Sequence, residues 1–210
     1  MKNTKDRILN TSLELFNLYG LSKVTLRTIA KKMGISQGNL NYHFKKREYI
    51  IEALYFQLVD NIDNSMSGIQ LSKNPLQLLA GISQTIMFNF FEYRFFLLDF
   101  VQIMRENDKI KKHYSKLTTK REQQFYMLFS LLIENGLMRK EILPNEYANL
   151  YKRFQILGDF WISDAEICNS QITEETISKY SEILTQAIYP YLTSKGQKEY
   201  YATLSVLGEF

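Results

Sequence analysis

Several residue types are scarce in this sequence, and each scarcity removes a class of protein. The single cysteine, Cys168, excludes a disulfide within the chain. Cys168, His43 and His113 do not have the spacing of metal ligands, so we predict no metal and no other cofactor. With only nine glycines and three prolines, and with no internal repeat, the 210 residues are typical of helices rather than of strands joined by tight turns. The sequence therefore predicts an all-α fold.

Long apolar runs are also missing. No stretch reaches the roughly 20 apolar residues that a membrane-spanning helix needs. Charged residues interrupt the first twenty positions, which is unlike a signal peptide. We therefore expect a cytoplasmic protein without a membrane partner. The sequence also contains no paired nucleophile and base and no glycine loop for phosphate, so we predict no enzymatic activity, although carboxylates assembled only by folding would escape such a search.

Positive charge is concentrated at one end of the chain. Residues 1–50 contain ten Lys and Arg against three acidic residues, a net charge of +7. The remaining 160 residues contain 16 basic and 19 acidic residues, a net charge of −3. A compact basic module attracts polyanions, of which nucleic acid is the commonest. Charge alone leaves a merely solvated basic surface as an equal alternative.

The basic region carries the pattern of a helix-turn-helix. A first helix is predicted over 4–19, ended by Gly20. Thr25 is a suitable N-cap for a second helix and Ser36 for a third, which ends near Phe44. Gly34 provides a permissive turn between them, and Ala30, Ile35 and Leu40 fill the angle between the two helices.

The outward face of the third helix has the chemistry of a DNA-reading surface. Amide side chains bind adenine edges or phosphate, a glycine permits close approach, and aromatic rings contact thymine methyl groups. Basic residues follow at the start of the next helix, where backbone N–H groups also attract an anion. The predicted DNA-binding residues are Thr25, Arg27, Ser36, Gln37, Gly38, Asn39, Asn41, Tyr42, His43, Lys46 and Arg47.

This segment resembles the N-terminal signature of the TetR-type (tetracycline-repressor-like) transcriptional regulators. The resemblance covers about residues 5–55 and rests on Thr25, Ile29, Ala30, Gly34, Ser36, Gly38, Leu40, His43, Phe44 and Glu48. It implies that Thr25, Ser36, Tyr42 and His43 hold phosphates, while Gln37, Gly38 and Asn39 face the major groove. Asn41 and Arg47 depart from the family pattern, which often has tyrosine and lysine there.

The predicted domains are a DNA-binding domain over 1–47 and a helical domain for ligand binding and dimerisation over 48–210. Further helices are predicted over 48–66, 75–91, 93–106, 108–135, 144–167 and 173–189, with a loop over 68–74 and an ambiguous tail after Ser194. His113 is expected to be exposed, and Cys168 to be buried.

The second region is unusually aromatic, which favours an apolar ligand pocket. The candidate ligand-binding residues are Phe91, Phe95, Phe96, Phe100, Phe125, Phe129, Phe154 and Trp161. For any single one of these rings, core packing is the more common role. In the family the last two bundle helices form a dimer, and here that seam would use Tyr151, Phe154, Leu157, Ile177, Ile183, Leu184 and Ile188, which also suit the core of one chain.

Together these observations predict a homodimeric transcriptional regulator that binds double-stranded operator DNA. The resemblance favours a repressor that a small, largely apolar ligand releases from DNA. The alternative is an architectural or constitutive DNA-binding protein without an inducer, in which the aromatic region is only a scaffold.

Overall fold

The computed structural model describes residues 3–69, 74–169 and 171–206. Within those ranges the chain forms α-helices and two short 3₁₀ turns and no β-strand, which confirms the all-α prediction. The helices are α1 (Thr4–Tyr19), α2 (Leu26–Met33), α3 (Gln37–His43), α4 (Arg47–Ile69), α5 (Pro75–Glu92), α6 (Arg94–Leu98), α7 (Phe100–Glu106), α8 (Asp108–Glu134), α9 (Glu146–Cys168), α10 (Glu174–Gln186) and α11 (Ser194–Val206).

Local signals set the ends of the first three helices as predicted. Gly20 follows α1 with φ of 76°, and Gly34 follows α2 in the left-handed conformation, with φ of 68°. The Thr25 hydroxyl accepts a hydrogen bond from the Thr28 backbone N–H at 3.2 Å, and the Thr25 backbone N–H donates to the Thr28 hydroxyl oxygen at 2.9 Å. These helices bury Ile8, Phe16, Ile29 and Leu40, and this apolar core is continuous with that of the bundle.

One long helix, α4, leads from this three-helix unit into the larger bundle. Its buried face carries Ile51, Leu54, Leu58 and Ile62 at helical spacing. In the bundle, α5 packs between α4 and α10, and α6 packs against both α9 and α1. The N-terminal unit is therefore joined to the bundle through α4 and through the contact of α1 with α6.

The predicted single helix over 93–106 is wrong, because Asp99 separates α6 from α7 with φ of −101° and ψ of 17°. The side chains of Phe95, Phe96 and Leu97 are all buried. Successive side chains of a helix point about 100° apart, so their burial shows that other elements surround α6 on several sides. The break allows the chain to turn while α6 packs against α1 and α9.

Other helix ends differ by a few residues. α9 begins at Glu146 rather than at Pro144, since Asn145 is left-handed with φ of 59°. α10 ends at Gln186, before the 3₁₀ turn that contains Pro190, rather than at Tyr189. α4 extends through Ile69, and residues 70–73 of the predicted loop lie outside the described residues.

The ambiguous tail is helical. α11 begins at Ser194 and packs against α5. A Cβ atom at Gly196 would lie 1.9 Å from the carbonyl oxygen of Leu137, so only glycine allows this close approach. Two further predictions are wrong: Cys168 is exposed, and His113 is half-buried, with its Nδ1 atom 2.8 Å from the Tyr55 hydroxyl.

Candidate nucleic-acid interface and ligand cavity

The α3 helix is held on the surface of the N-terminal unit by one buried edge. Leu40 and Phe44 pack inward, with exposures of 0% and 4%. The Ser36 hydroxyl oxygen accepts a hydrogen bond from the Asn39 backbone N–H at 3.1 Å. This cap fixes the start of α3 while the Ser36 O–H remains able to donate to a phosphate. Thr25 caps α2 in the same way.

The opposite side of α3 is exposed and polar. Gln37, Gly38, Asn39 and Asn41 are all exposed, and Tyr42 has 85% of its surface exposed. A Cβ atom built at Gly38 would meet only the Ser36 hydroxyl, at 3.9 Å, so the backbone is open to a partner there. This surface presents donors and acceptors suited to base edges and phosphates.

Cations surround the α3 surface, but they are not equivalent. Arg27 and Lys46 are exposed. The Arg47 guanidinium instead donates to the carbonyl oxygens of Leu21 and Val24, at 2.7 and 3.3 Å. The structure thus places Arg47 as a brace between α4 and the segment before α2. His43 is half-buried, and its ring centre lies 5.3 Å from that of Tyr42, with the two rings nearly perpendicular.

The bundle contains a cavity of about 140 Å³, bounded by side chains from α4 through α10. Most of its wall is apolar, as is usual for small-molecule sites. One side is a continuous series of rings, with Tyr55 stacked 5.2 Å from Phe96 and Phe100 edge-on 5.1 Å from Tyr114. Four of the predicted aromatic residues line it, namely Phe96, Phe100, Phe125 and Phe154.

The other four predicted rings lie elsewhere. Phe95, Phe129 and Trp161 are each 1% exposed and belong to the core, away from the cavity wall. Phe91 is half-buried, with the Arg94 guanidinium 4.8 Å from its ring centre. Periodicity could not separate these two groups, because the core and the cavity use the same residue types. The cavity wall also contains residues that the sequence pattern did not indicate, namely Tyr55, Phe90, Tyr114, Tyr151, Gln155 and Asp159.

Two charged side chains line the cavity. Arg121 forms an ion pair with Asp63 and donates to the Gln124 side chain at 2.8 Å. Asp159 accepts a hydrogen bond from the Tyr114 hydroxyl. Burial raises the pKa of Asp159 to about 6, against the lowering effect of that hydrogen bond. Burial, with the Asp159 charge, also raises the pKa of Tyr114 well above its usual range.

The N-terminal unit contacts the bundle through a polar clamp. The Asn17 amide of α1 donates to the Glu92 carbonyl oxygen at 2.8 Å, and its oxygen accepts from the Phe95 backbone N–H at 3.1 Å. The rings of Phe16 and Phe95 lie 5.1 Å apart beside it. The clamp holds Phe95 near the start of α6, and the following residue, Phe96, lines the cavity. A change in the cavity therefore has a short path to α1.

Apolar side chains remain exposed on α9 and α10. Of the predicted dimer seam, Tyr151, Phe154, Ile177, Leu184 and Ile188 are buried within the chain, whereas Ile183 is 41% exposed. The exposed apolar residues of α9 are Ile156, Phe160 and Ile167, with exposures of 54%, 42% and 84%. Their spacing of four and seven residues places them along one side of the helix.

An exposed helix-turn-helix joined through one long helix to an all-α domain with an apolar cavity defines a class of DNA-binding regulators. Residues 57–200 match the TetR family described as bacterial transcriptional repressor, and residues 8–54 match the bacterial regulatory proteins of the tetR family. The chain belongs to the TetR family of transcriptional regulators. It is a DNA-binding regulator and not an enzyme.

Individual proteins agree with this assignment. The chain is 23% identical over 202 residues to the HTH-type transcriptional regulator YerO of Bacillus subtilis strain 168, covering 92% of this chain and 70% of YerO. A TetR-family regulator of Marinobacter aquaeolei VT8 has the same fold, with a TM-score of 0.86, 20% identity, and coverage of 99% of this chain and 100% of that one. AibR, solved with isovaleryl coenzyme A and operator DNA, has a TM-score of 0.68 at 15% identity, covering 90% of this chain and all of AibR. Within the described residues, no helix is long and apolar enough to cross a membrane.

Proposed function

We propose that this regulator is a homodimeric repressor that binds operator DNA through α3 and releases it when a small molecule occupies the bundle cavity. The observation that carries the proposal is the combination of the exposed polar face of α3 with an apolar cavity whose wall adjoins the clamp at Asn17. We assign DNA binding to residues 1–47, and ligand binding and dimerisation to residues 48–210.

In this proposal some exposed residues of α3 contact bases and others contact phosphates. Gln37, Gly38 and Asn39 face base edges in the major groove, while Tyr42 and the hydroxyl groups of Thr25 and Ser36 bind phosphates. Their exposure and the free approach at Gly38 support these roles. The inward hydrogen bonds of Arg47 favour bracing of the domain over a direct DNA contact. His43 is assigned to a phosphate as well, and Arg27, Asn41 and Lys46 to the rim of the contact.

A dimer is required because one short recognition helix offers few base contacts. The exposed apolar residues of α9, together with Ile183 of α10, are suited to pairing with a second copy around a two-fold axis. Two copies of α9 and α10 would then form a four-helix interface. This seam replaces the buried side chains of the sequence prediction with Ile156, Phe160, Ile167 and Ile183.

Release follows from a shift between two spacings of the recognition helices. A ligand that binds one spacing better than the other changes the DNA affinity, and a nearly complete switch needs about 5.5 kcal/mol of differential binding. The long helix α4 and the Asn17 clamp connect the cavity to the N-terminal unit. AibR, a structural neighbour solved with both a small molecule and operator DNA, supports the principle.

The test is the binding of the purified protein to DNA from beside its own gene, measured by fluorescence anisotropy over a salt series. We expect Tyr42→Ala to weaken binding to all sequences and to flatten the salt dependence, because it removes a phosphate contact. Gln37→Ala should mainly reduce discrimination between operator and unrelated DNA, by about 1–3 kcal/mol. Tyr19→Ala is the matched control, since Tyr19 is 52% exposed but lies outside α3.

Equal behaviour of all three variants would refute the assignment of α3 to DNA. Normal operator binding that no small molecule weakens would instead favour a constitutive DNA-binding protein.

A further inference from the structure

The cavity wall is apolar except at a few positions, and these positions bear on the kind of ligand it accepts. Arg121 and Asp159 are the charged residues that line it. The Arg121 charge is already balanced by Asp63. Among the residues that the structure describes, no Lys, Arg or His forms an ion pair with Asp159. The wall therefore holds one carboxylate whose charge has no direct counterion.

Neutral groups already stabilise this carboxylate, but only in part. The Tyr114 hydroxyl donates to one Asp159 oxygen and itself accepts from the Gln155 amide at 3.2 Å. The Gln155 oxygen is engaged by the exposed Lys152 ammonium at 2.7 Å. A carboxylate has about four acceptor positions, so these neighbours orient Asp159 without saturating it.

Aromatic rings stand beside the carboxylate. Tyr114 touches Phe100 with ring centres 5.1 Å apart, and Phe100 continues to Phe96 at 5.9 Å. Ring faces attract organic cations, and the attraction is strongest where water is excluded. A carboxylate next to such rings in an apolar cavity is the recognition chemistry of a cation with an apolar body.

We infer that the inducer of this regulator is a small organic monocation, such as a hydrophobic amine or quaternary ammonium compound, whose nitrogen lies beside Asp159 and whose body contacts the aromatic wall. This inference rests on the proposed function, because it names the ligand class of the same cavity. The opposite class, an anion held by Arg121, would have to displace Asp63 from its ion pair.

The experiment compares three test ligands of similar size by isothermal titration calorimetry on the full-length protein. Benzyltrimethylammonium carries a permanent positive charge, neopentylbenzene has the same shape without charge, and 3-phenylpropanoate carries a negative charge. We expect the cation to bind about tenfold or more tightly than its neutral isostere. Asp159→Asn should remove that advantage and leave the affinity for neopentylbenzene within about twofold, because the substitution keeps the size of the side chain.

Asp164→Asn is the matched control. Asp164 lies on the same helix and also accepts a hydrogen bond from a tyrosine, Tyr180, but it does not line the cavity. The Asp164→Asn variant should bind the cation with the same affinity as the wild type. Thermal unfolding of both variants verifies that they are folded.

Each outcome is decisive for the ligand class. Equal binding of the cation and its isostere, tighter binding of the anion, no binding of any test ligand, or an unchanged cation affinity in Asp159→Asn would each overturn the inference. Operator binding is measured separately on the same samples. Loss of the inference with intact operator binding therefore leaves the regulator assignment standing, whereas absence of operator binding counts against the proposed function itself.

Discussion

The candidate binding tyrosines of the two regions of this regulator lie in opposite environments. Tyr42 on α3 is 85% exposed, and its ring lies at 85° to that of the neighbouring His43. Tyr55 and Tyr114 in the bundle are enclosed, and burial raises the pKa of both hydroxyls far above the usual value. The N-terminal half keeps its binding groups outside a small core, while the bundle turns its binding groups inward. In the N-terminal region, different residues therefore determine stability and binding, whereas in the bundle the same buried residues contribute to both.

The largest expected effect is a loss of stability on substitution of a core residue of the bundle, compared with substitution of the exposed Tyr42. Phe129 is 1% exposed, with Tyr147 and Phe154 as ring neighbours at 5.5 and 6.4 Å. Phe129→Ala should lower the free energy of unfolding by about 3–5 kcal/mol, because it leaves a cavity among these rings. Tyr42→Ala should change it by less than about 0.5 kcal/mol.

Chemical denaturation at one fixed protein concentration measures both changes, since dimer stability depends on concentration. Met127→Ala is the control on α8, because Met127 is 64% exposed. A loss of stability in Tyr42→Ala comparable to that of Phe129→Ala would show that the α3 surface is part of the fold rather than a free binding face.

The next effect concerns the carboxylate in the cavity. Burial raises the pKa of Asp159 to about 6, above the unfolded value of 3.8, while Tyr114, Gln155 and Lys152 oppose the rise. The nearby hydroxyl of Tyr151 has a pKa raised to about 12, and the main cause is its own burial. A carboxyl group whose pKa is raised by folding destabilises the native state once the pH exceeds the unfolded pKa, and this loss is complete above the folded pKa.

Asp159→Asn should therefore raise the free energy of unfolding by about 1–2 kcal/mol at pH near 7.5, and the gain should vanish as the pH falls from about 6 to below 4. Denaturation of wild type and variant across this range measures it. A variant that is less stable than the wild type at neutral pH would contradict the pKa and assign Asp159 a structural role.

The contrast between the halves also explains what could be predicted from the sequence. The α3 surface comes from consecutive residues whose directions follow from the caps at Thr25 and Ser36, so the helix-turn-helix was predicted nearly to the residue. The inward hydrogen bonds of Arg47 could not be predicted, because their acceptors, the Leu21 and Val24 carbonyls, lie more than twenty positions earlier in the chain. Its charge alone gave no hint of this inward direction.

The cavity could be predicted only as a tendency. Its wall comes from seven helices, and no sequence period distinguishes Phe154, which lines it, from Trp161, which does not. One signal was available: Asp159 is the single charged residue in the apolar stretch 154–162 of α9. A carboxylate in such a stretch has to be paired, hydrogen-bonded or functional, because burying it alone is unfavourable.

The smallest expected effect concerns the contact between the N-terminal unit and the bundle at Asn17. The Asn17 side chain makes one hydrogen bond to the end of α5, at Glu92, and one to the start of α6, at Phe95, and their loss should cost about 1 kcal/mol of stability. Asn17→Ala should leave the operator affinity of the free protein close to normal, since the Asn17 side chain bonds to Glu92 and Phe95 rather than to α3. It should instead weaken the effect of a bound ligand on DNA affinity, by about 0.5–2 kcal/mol, if the clamp carries part of the coupling.

The measurement is the ratio of operator dissociation constants with and without a saturating test ligand, for wild type, Asn17→Ala and Asn10→Ala. Asn10 lies on the exposed side of the same helix, so its substitution should leave the ratio unchanged. A smaller ratio in Asn17→Ala alone would place the coupling in the contact between α1 and α6. An unchanged ratio in both variants would assign the coupling to α4, whose ion pairs with α8, from Glu52 to Lys109 and from Asp63 to Lys120, are then the next contacts to remove.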